Sequence, residues 1–200
     1  MTSRLELEKV FRHCTTDPEL MAGFYEAAGV PALAHVERKK VLKAMIAKQD
    51  FAGAVHYHQA HNVLSFPEFR DLLVRQYRWW LGKKQPFTAL EVAREHNLTE
   101  LAREAAVIWG EEILRGKGHS LDALLKIARC ELADDKRFQK RAARLVFRYW
   151  VRSPQHHGSL PRLVSEFRPY FSDVEADLAE FLADAEKDRN ERRYARPKVS

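Results

Sequence analysis

Three stretches decide the fold: DFAGAVHYHQAHNV at residues 50–63, QPFTALEVAREHNL at 85–98 and SLDALLKIARCELA at 120–133. Each lies 35 positions after the one before it. The shift lays Ala54 on Ala89, Val55 on Leu90, His61 on His96, Asn62 on Asn97 and Val63 on Leu98. Applied again, it carries the apolar pair to Leu124 and Leu125, Ala93-Arg94 to Ala128-Arg129, and Tyr57 and Val92 to Ile127. A fixed period of roughly 20 to 50 residues is the mark of stacked supersecondary units.

Each short stretch is followed by a longer one: FPEFRDLLVRQYRWWL from Phe66, TELAREAAVIWGEEIL from Thr99 and KRFQKRAARLVFRYWV from Lys136. These carry an apolar stripe at helical spacing with charges on the other side. A two-helix unit of this kind cannot bury both faces alone, so its units must stack.

Helix starts are marked by Ser or Thr with Glu three positions later, a pair that satisfies free N–H groups of a first turn. Ser3 with Glu6, Thr16 with Glu19, Ser65 with Glu68 and Ser172 with Glu175 fit, and Pro18 and Pro67 fall inside first turns. The pattern predicts helices over 4–13, 17–28, 33–48, 51–62, 66–82, 87–96, 99–115, 121–132, 136–152, 160–168 and 173–193. Breaks fall at Gly29 with Pro31, at Gly116 with Gly118, and from Ser153-Pro154 to Gly158, while Pro169 should stop the tenth helix. No segment reads as a strand. The expected architecture is one all-α domain over 1–193: an N-terminal helical pair (1–32), stacked antiparallel hairpins (33–152) and C-terminal helices (153–193) that cap the stack. A basic tail follows at 194–200.

The period, the short-plus-long alternation and the small residues Ala54 and Ala89 resemble tetratricopeptide-type helical repeats over about residues 33–152. Trp109-Gly110 followed by Ile113 partly imitates that family's Leu-Gly and Tyr positions, and most other positions differ. The resemblance implies a scaffold that binds partners on a concave face and brings no catalytic residues. A divergent α-solenoid or a compact bundle of hairpins fits the same letters.

Composition agrees with the helical class. Apolar residues make up 46% and charged ones 31%, with eight Gly and eight Pro, which suits helices with solvated faces. No stretch approaches the roughly 20 apolar residues needed to span a bilayer, and MTSRLELEKVFRH carries charges where a signal peptide needs an apolar stretch. A cytoplasmic protein without membrane contact is the expectation. Cys14 and Cys130 stand far apart, which leaves neither a disulfide framework nor a four-cysteine zinc site. The net charge of +6 and pI near 9.4 tilt towards anionic partners.

Chemistry-bearing patterns are few. His58 and His61 can face one way on a helix, but His56 points about 200° from His58 and no further ligand type is near, so no metal site is expected. His61 and His96 each precede Asn near a helix end, where imidazole can serve terminal carbonyls. Phosphate loop, dinucleotide fingerprint and zinc-protease helix are absent. Adjacent carboxylates such as Glu111-Glu112 and Asp134-Asp135 read as solvated faces. No catalytic residue, enzyme activity or cofactor is expected.

The sharpest signal is the helix 136–152, where Arg137, Arg141, Arg144, Arg148 and Arg152 follow spacings of 4, 3, 4 and 4. Lys136 and Lys140 widen the stripe, while Phe138, Ala142, Leu145 and Tyr149 make an adjacent apolar face for docking. The arginines could follow a phosphate backbone over about 22 Å, or pair with Glu111, Glu112, Glu131, Asp134 and Asp135. Trp79 and Trp80 are adjacent and cannot both point inward, and Trp150 stands in the same tension with Tyr149, so Trp79, Trp80 and Trp150 are candidate partner contacts. The residues support a non-catalytic binding or scaffold module, an adaptor or subunit that recognises a protein partner. The alternative is a nucleic-acid-associated protein that contacts phosphates through Arg137, Lys140, Arg141, Arg144, Arg148 and Arg152.

Overall fold

The computed structural model describes residues 4–116 and 120–152, together with 165, 168–170, 176, 179, 180, 183 and 187. Every regular element among these residues is helical, and none of the described helices is long and apolar enough to cross a membrane. The chain divides into two compact units, Met1–Leu98 and Thr99–Ser200.

The first unit contains α1 (Arg4–Cys14), α2 (Pro18–Ala27), α3 (Pro31–Ala47), α4 (Phe51–His61), α5 (Phe66–Gly82) and α6 (Pro86–Glu95). From α2 onward each helix packs on the one that follows it. Proline sets three of the starts, with Pro18, Pro31 and Pro86 as first helical residues. There the missing N–H is one that a helix leaves unpaired anyway. This moves α3 two residues ahead of its expected start, because Pro31 opens the helix rather than belonging to the break.

The capping groups are local and mostly as expected. At Ser65 both the backbone N–H and the hydroxyl donate to Glu68 Oε2, at 2.8 and 2.7 Å, and these bonds hold the Glu68 carboxyl down to about 2. At α2 the cap is Asp17 rather than Thr16: its Oδ1 accepts the Glu19 N–H at 2.8 Å, and Thr15 Oγ1 accepts the Asp17 N–H at 3.0 Å. With Pro18 fixed as the first helical residue, the position before it is the one whose side chain can reach back. The pairs Ser3-Glu6 and Ser172-Glu175 include positions outside the described residues.

Four helices of the first unit end in one device. Gly29, Gln49, Lys84 and Asn97 take left-handed conformations with φ of 71°, 60°, 57° and 55°. Each donates its N–H to the carbonyl three residues back, and the next residue donates to the carbonyl five back, as in Lys84 to Leu81 (2.9 Å) and Gln85 to Trp80 (3.0 Å). These bonds consume carbonyls that the helix end leaves open. A left-handed residue with a Cβ costs about 1–2 kcal/mol, part of which a glycine returns through the greater freedom of its unfolded chain. Lys84→Gly is therefore expected to stabilise the first unit by about 0.5–1 kcal/mol, read as a higher urea midpoint at constant slope.

Two apolar clusters fill this unit. Met21, Ala22, Tyr25 and Ala34 pack between α2 and α3 with Phe11 of α1. Leu42, Ala54, Val55, Val63, Leu72 and Leu73 join α3, α4 and α5. Beside the first cluster Tyr25 Oη donates to Glu8 Oε1 at 2.6 Å and accepts from the Arg12 guanidinium at 2.7 Å. Arg12 also lies 3.7 Å from the buried Glu37 carboxylate, which takes Lys40 at 2.8 Å. One polar chain thus ties α1 to both helices below it.

The second unit contains α7 (Thr99–Leu114), α8 (Leu121–Arg129), α9 (Lys136–Arg152) and a 3-10 turn at Arg168–Tyr170 that includes Pro169. Leu124, Ile127, Leu132, Ala143, Val146 and Phe147 form its interior. The chain leaves the helical path after Arg129, short of the expected 132, because Gln139 reaches back from α9. Its buried amide donates to Ala128 O at 3.0 Å and Ala133 O at 2.8 Å. Nearby, Phe138 lies so close to Gly110 of α7 that a Cβ there would come within 2.4 Å of the ring. Apart from the 3-10 turn and isolated positions, the helices expected over 160–168 and 173–193 lie outside the described residues, as does the tail at 194–200.

Candidate recognition face on the ninth helix

α9 carries seven basic residues and no acidic one. Its first turn therefore sets Lys136 and Arg137 against the positive end of the helix dipole, at a cost of roughly 0.3–1 kcal/mol each. Asp135 offsets part of this by accepting the Phe138 N–H at 2.8 Å. A helix that breaks a local rule in this way is where a binding role is to be sought.

The structure places Arg137, Lys140, Arg141, Arg144 and Arg148 together, all exposed, on an arc of about 100°. Arg152 closes the helix, and its side chain lies outside the described set. Opposite the arc are the buried Phe138, Gln139, Ala142, Ala143, Val146 and Phe147. The docking face expected through Phe138, Ala142, Leu145 and Tyr149 is thus rotated: Leu145 is half-buried and Tyr149 is 54% exposed. Val146 and Phe147 are fully buried in their place, on a helix that packs more broadly on α8 than on α7.

At one edge of the arc Arg141 forks onto Glu111 of α7, with N···O distances of 2.6 and 3.1 Å. The Glu111 carboxyl is held below its ordinary value, first by the hydrogen bond from Arg141 and then by the Arg141 charge. Asp134 pairs instead with Arg103 at 2.6 Å, and its carboxyl is likewise lowered by that hydrogen bond. Of the acidic residues anticipated as partners of the stripe, Glu111 is seen to meet it.

Towards its C-terminal end α9 borders an open trough of about 570 Å³. Ile113 and Leu114 of α7, Leu121 of α8, and Leu145, Tyr149 and Trp150 of α9 line it, and Ser120 and Asp122 stand at the start of α8. Trp150 is half-buried at the trough, and of the adjacent aromatic pair Tyr149 is the more exposed. Tyr149 shares the trough, a residue the sequence pattern assigns to the core. Its periodicity is compatible with either role, so only the rotation of α9 identifies it.

The other candidate aromatics lie in the first unit. Trp79 and Trp80 are both half-buried and meet edge to face with centroids 4.5 Å apart. Trp79 donates from Nε1 to Gln49 Oε1 at 3.0 Å and lies under the Lys83 ammonium, so it seals the α3–α4 turn.

His58, His61 and His96 pack against aromatic rings of the first unit. His58 is buried, meets Phe69 at a tilt with centroids 4.2 Å apart and accepts the Leu64 N–H at Nδ1, 3.0 Å away. His61 lies against Tyr57 at a tilt and His96 meets Phe69 edge-on. Terminal carbonyls near His96 are met by backbone N–H groups instead, with Asn97 reaching Arg94 and Leu98 reaching Ala93. Among the described residues no three His, Cys, Asp or Glu side chains are grouped to hold a metal ion.

Burial lowers the His58 pKa below its ordinary 6.5, so acid protonates the unfolded chain first. Stability carried by neutral His58 is complete above pH 6.5 and declines as pH falls below it. His58→Asn keeps an acceptor for Leu64 without titrating. It should flatten the fall in melting temperature on acidification, and an unchanged slope would refute the assignment.

Every functional statement about this face rests on its own residues, since no family model, curated protein or solved structure matches the chain.

Proposed function

We propose that this chain is a non-catalytic binding module, an adaptor or subunit of a larger assembly, that presents the exposed face of α9 to a protein partner. The observation that carries the reading is the exposed arc of Arg137, Lys140, Arg144 and Arg148 on a helix whose opposite side is buried. These side chains lie on the solvent side of α9, while the other side of the helix packs into the second unit. Glu111 at the edge of the arc and the apolar trough beside it suit a partner with mixed chemistry better than a uniform polyanion.

The repeat reading of the scaffold is part of the proposal. Phe66 and Gly82, the bounds of α5, stand 35 positions after Pro31 and Ala47, the bounds of α3. Buried positions recur at the same offset, in Ala54, Ala89 and Leu124 and in Val55, Leu90 and Leu125. This recurrence favours stacked hairpins; their tetratricopeptide-like kind and a cytoplasmic location are further parts of the proposal.

Affinity purification of the tagged full chain from its native cell tests the reading. A stoichiometric protein partner is expected, and Arg137→Glu with Lys140→Glu should release it at unchanged melting temperature. A second reading, contact with a nucleic-acid backbone, is favoured by the arginine spacing alone. It requires labelled single- or double-stranded DNA or RNA to bind at low salt and to dissociate steeply as salt rises. Binding of that kind, abolished by the same pair of substitutions, would replace the first reading with the second.

A further inference from the structure

We infer that the trough beside α9 seats an acidic peptide segment of the partner, with one large apolar side chain held between Leu121, Leu145, Tyr149 and Trp150. The inference rests on the protein-binding reading above and adds the chemistry of what is bound. Its volume of about 570 Å³ falls within the roughly 300–1,000 Å³ of ligand-binding clefts. Its walls are open, with Tyr149 54% exposed and Leu121, Leu145 and Trp150 half-buried. A small molecule needs most of its surface enclosed to bind well, whereas a peptide can leave its backbone in water and commit one side chain.

Charge selects the kind of peptide. The described residues that line the trough include no basic side chain, but its α9 wall of Leu145, Tyr149 and Trp150 adjoins the exposed Arg144 and Arg148 in sequence, on a helix without an acidic residue. Asp122 and Ser120 stand at its other end, and the Ser120 hydroxyl already caps α8 by accepting the Ala123 N–H at 3.2 Å. A peptide can place Asp or Glu along the basic arc and an uncharged residue opposite Asp122. A nucleic-acid strand brings a phosphate with every nucleotide and would meet both Asp122 and the ionised Glu111. Tyr149 and Trp150 offer rigid, partly apolar surfaces of the type that dominates peptide anchoring.

The test is selection of a phage-displayed library of random dodecapeptides on the full chain, followed by anisotropy titration of the labelled winners. A consensus of one large aliphatic or aromatic residue flanked by Asp or Glu is expected. Tyr149→Ser should weaken those peptides about tenfold or more while the melting temperature stays put, because the residue is largely exposed. Peptide addition should also move the indole N–H signal of Trp150, assigned through Trp150→Phe.

Winners without acidic residues would overturn the inference, as would winners that bind Tyr149→Ser equally or leave the Trp150 signal still. Displacement of a winner by a short oligonucleotide at equal concentration would also overturn it. If the peptides fail while a native partner is still captured and then released by the Arg137 and Lys140 substitutions, the trough assignment alone falls. If no partner is captured either, the binding-module reading falls with it.

Discussion

Gln139→Leu is expected to destabilise the second unit by about 1–3 kcal/mol, although it exchanges a polar side chain for an apolar one of similar size at a buried position. The Gln139 amide satisfies Ala128 O, in the last turn of α8 where the helical ladder no longer supplies donors, and Ala133 O in the turn that follows. Leucine strands the buried Ala128 carbonyl, whereas the exposed Ala133 can turn to water. A buried carbonyl so stranded costs about 1–3 kcal/mol, and the gain from burying methyl groups offsets only part of that. Urea unfolding of the full chain measures the loss, and amide exchange along α8 assigns it to this unit. A change below about 0.5 kcal/mol would mean that water replaces the amide at no cost and that the early end of α8 has another cause.

Gly110→Ala should also destabilise, against its local preference. In a helix interior alanine is favoured over glycine by about 1 kcal/mol. Here the added Cβ would stand 2.4 Å from the tip of the Phe138 ring and 2.9 Å from its edge. Phe138 is buried and has little room to retreat, so the overpacking cost of about 1–3 kcal/mol outweighs the propensity gain. A cycle with Phe138→Leu separates the two terms. Alanine at 110 should destabilise when Phe138 is present and become neutral or stabilising when the ring is shortened. Equal effects in both backgrounds would show that the two residues do not press on one another.

Both predictions turn on residues that a reading of the sequence passes over. Gln139 looks like one more polar position on a charged helix, and Gly110 like half of a Trp-Gly pair. Their roles depend on carbonyls and a ring that belong to other elements. The same holds for His58, weighed in the sequence only as one of a His58–His61 pair on a helix face, whose Nδ1 turns to the Leu64 N–H across the α4–α5 turn.

Much of the secondary structure was legible, because helix limits are decided within about one turn of chain. Pro18, Pro31 and Pro86 open helices, Ser65 with Glu68 caps one, and Asn97 closes one, all through contacts at most five residues apart. Where the expectation slipped, at Thr16 and Pro31, it slipped by one or two residues between competing local caps. The end of α8 departs further, and there the competitor is distant: the Gln139 amide, eleven residues after Ala128.

The candidate face divides in the same way. Spacing along one helix suffices to put Arg137, Lys140, Arg141, Arg144 and Arg148 on one side, since helical geometry is the same in any surroundings. How that helix is turned on its neighbours is a packing question. Periodicity allows either Tyr149 or Phe147 to face inward, and packing of the unit buries Phe147 and leaves Tyr149 beside the trough. Contact with α7 likewise assigns Arg141, among five arginines alike in sequence, to the Glu111 carboxylate. The sequence by itself determined the helices and the membership of the basic stripe, because both follow from interactions within a turn or two. Tertiary structure decided the rotation of α9, the partner of Arg141 and the existence of the trough, because each requires side chains some thirty residues apart to meet.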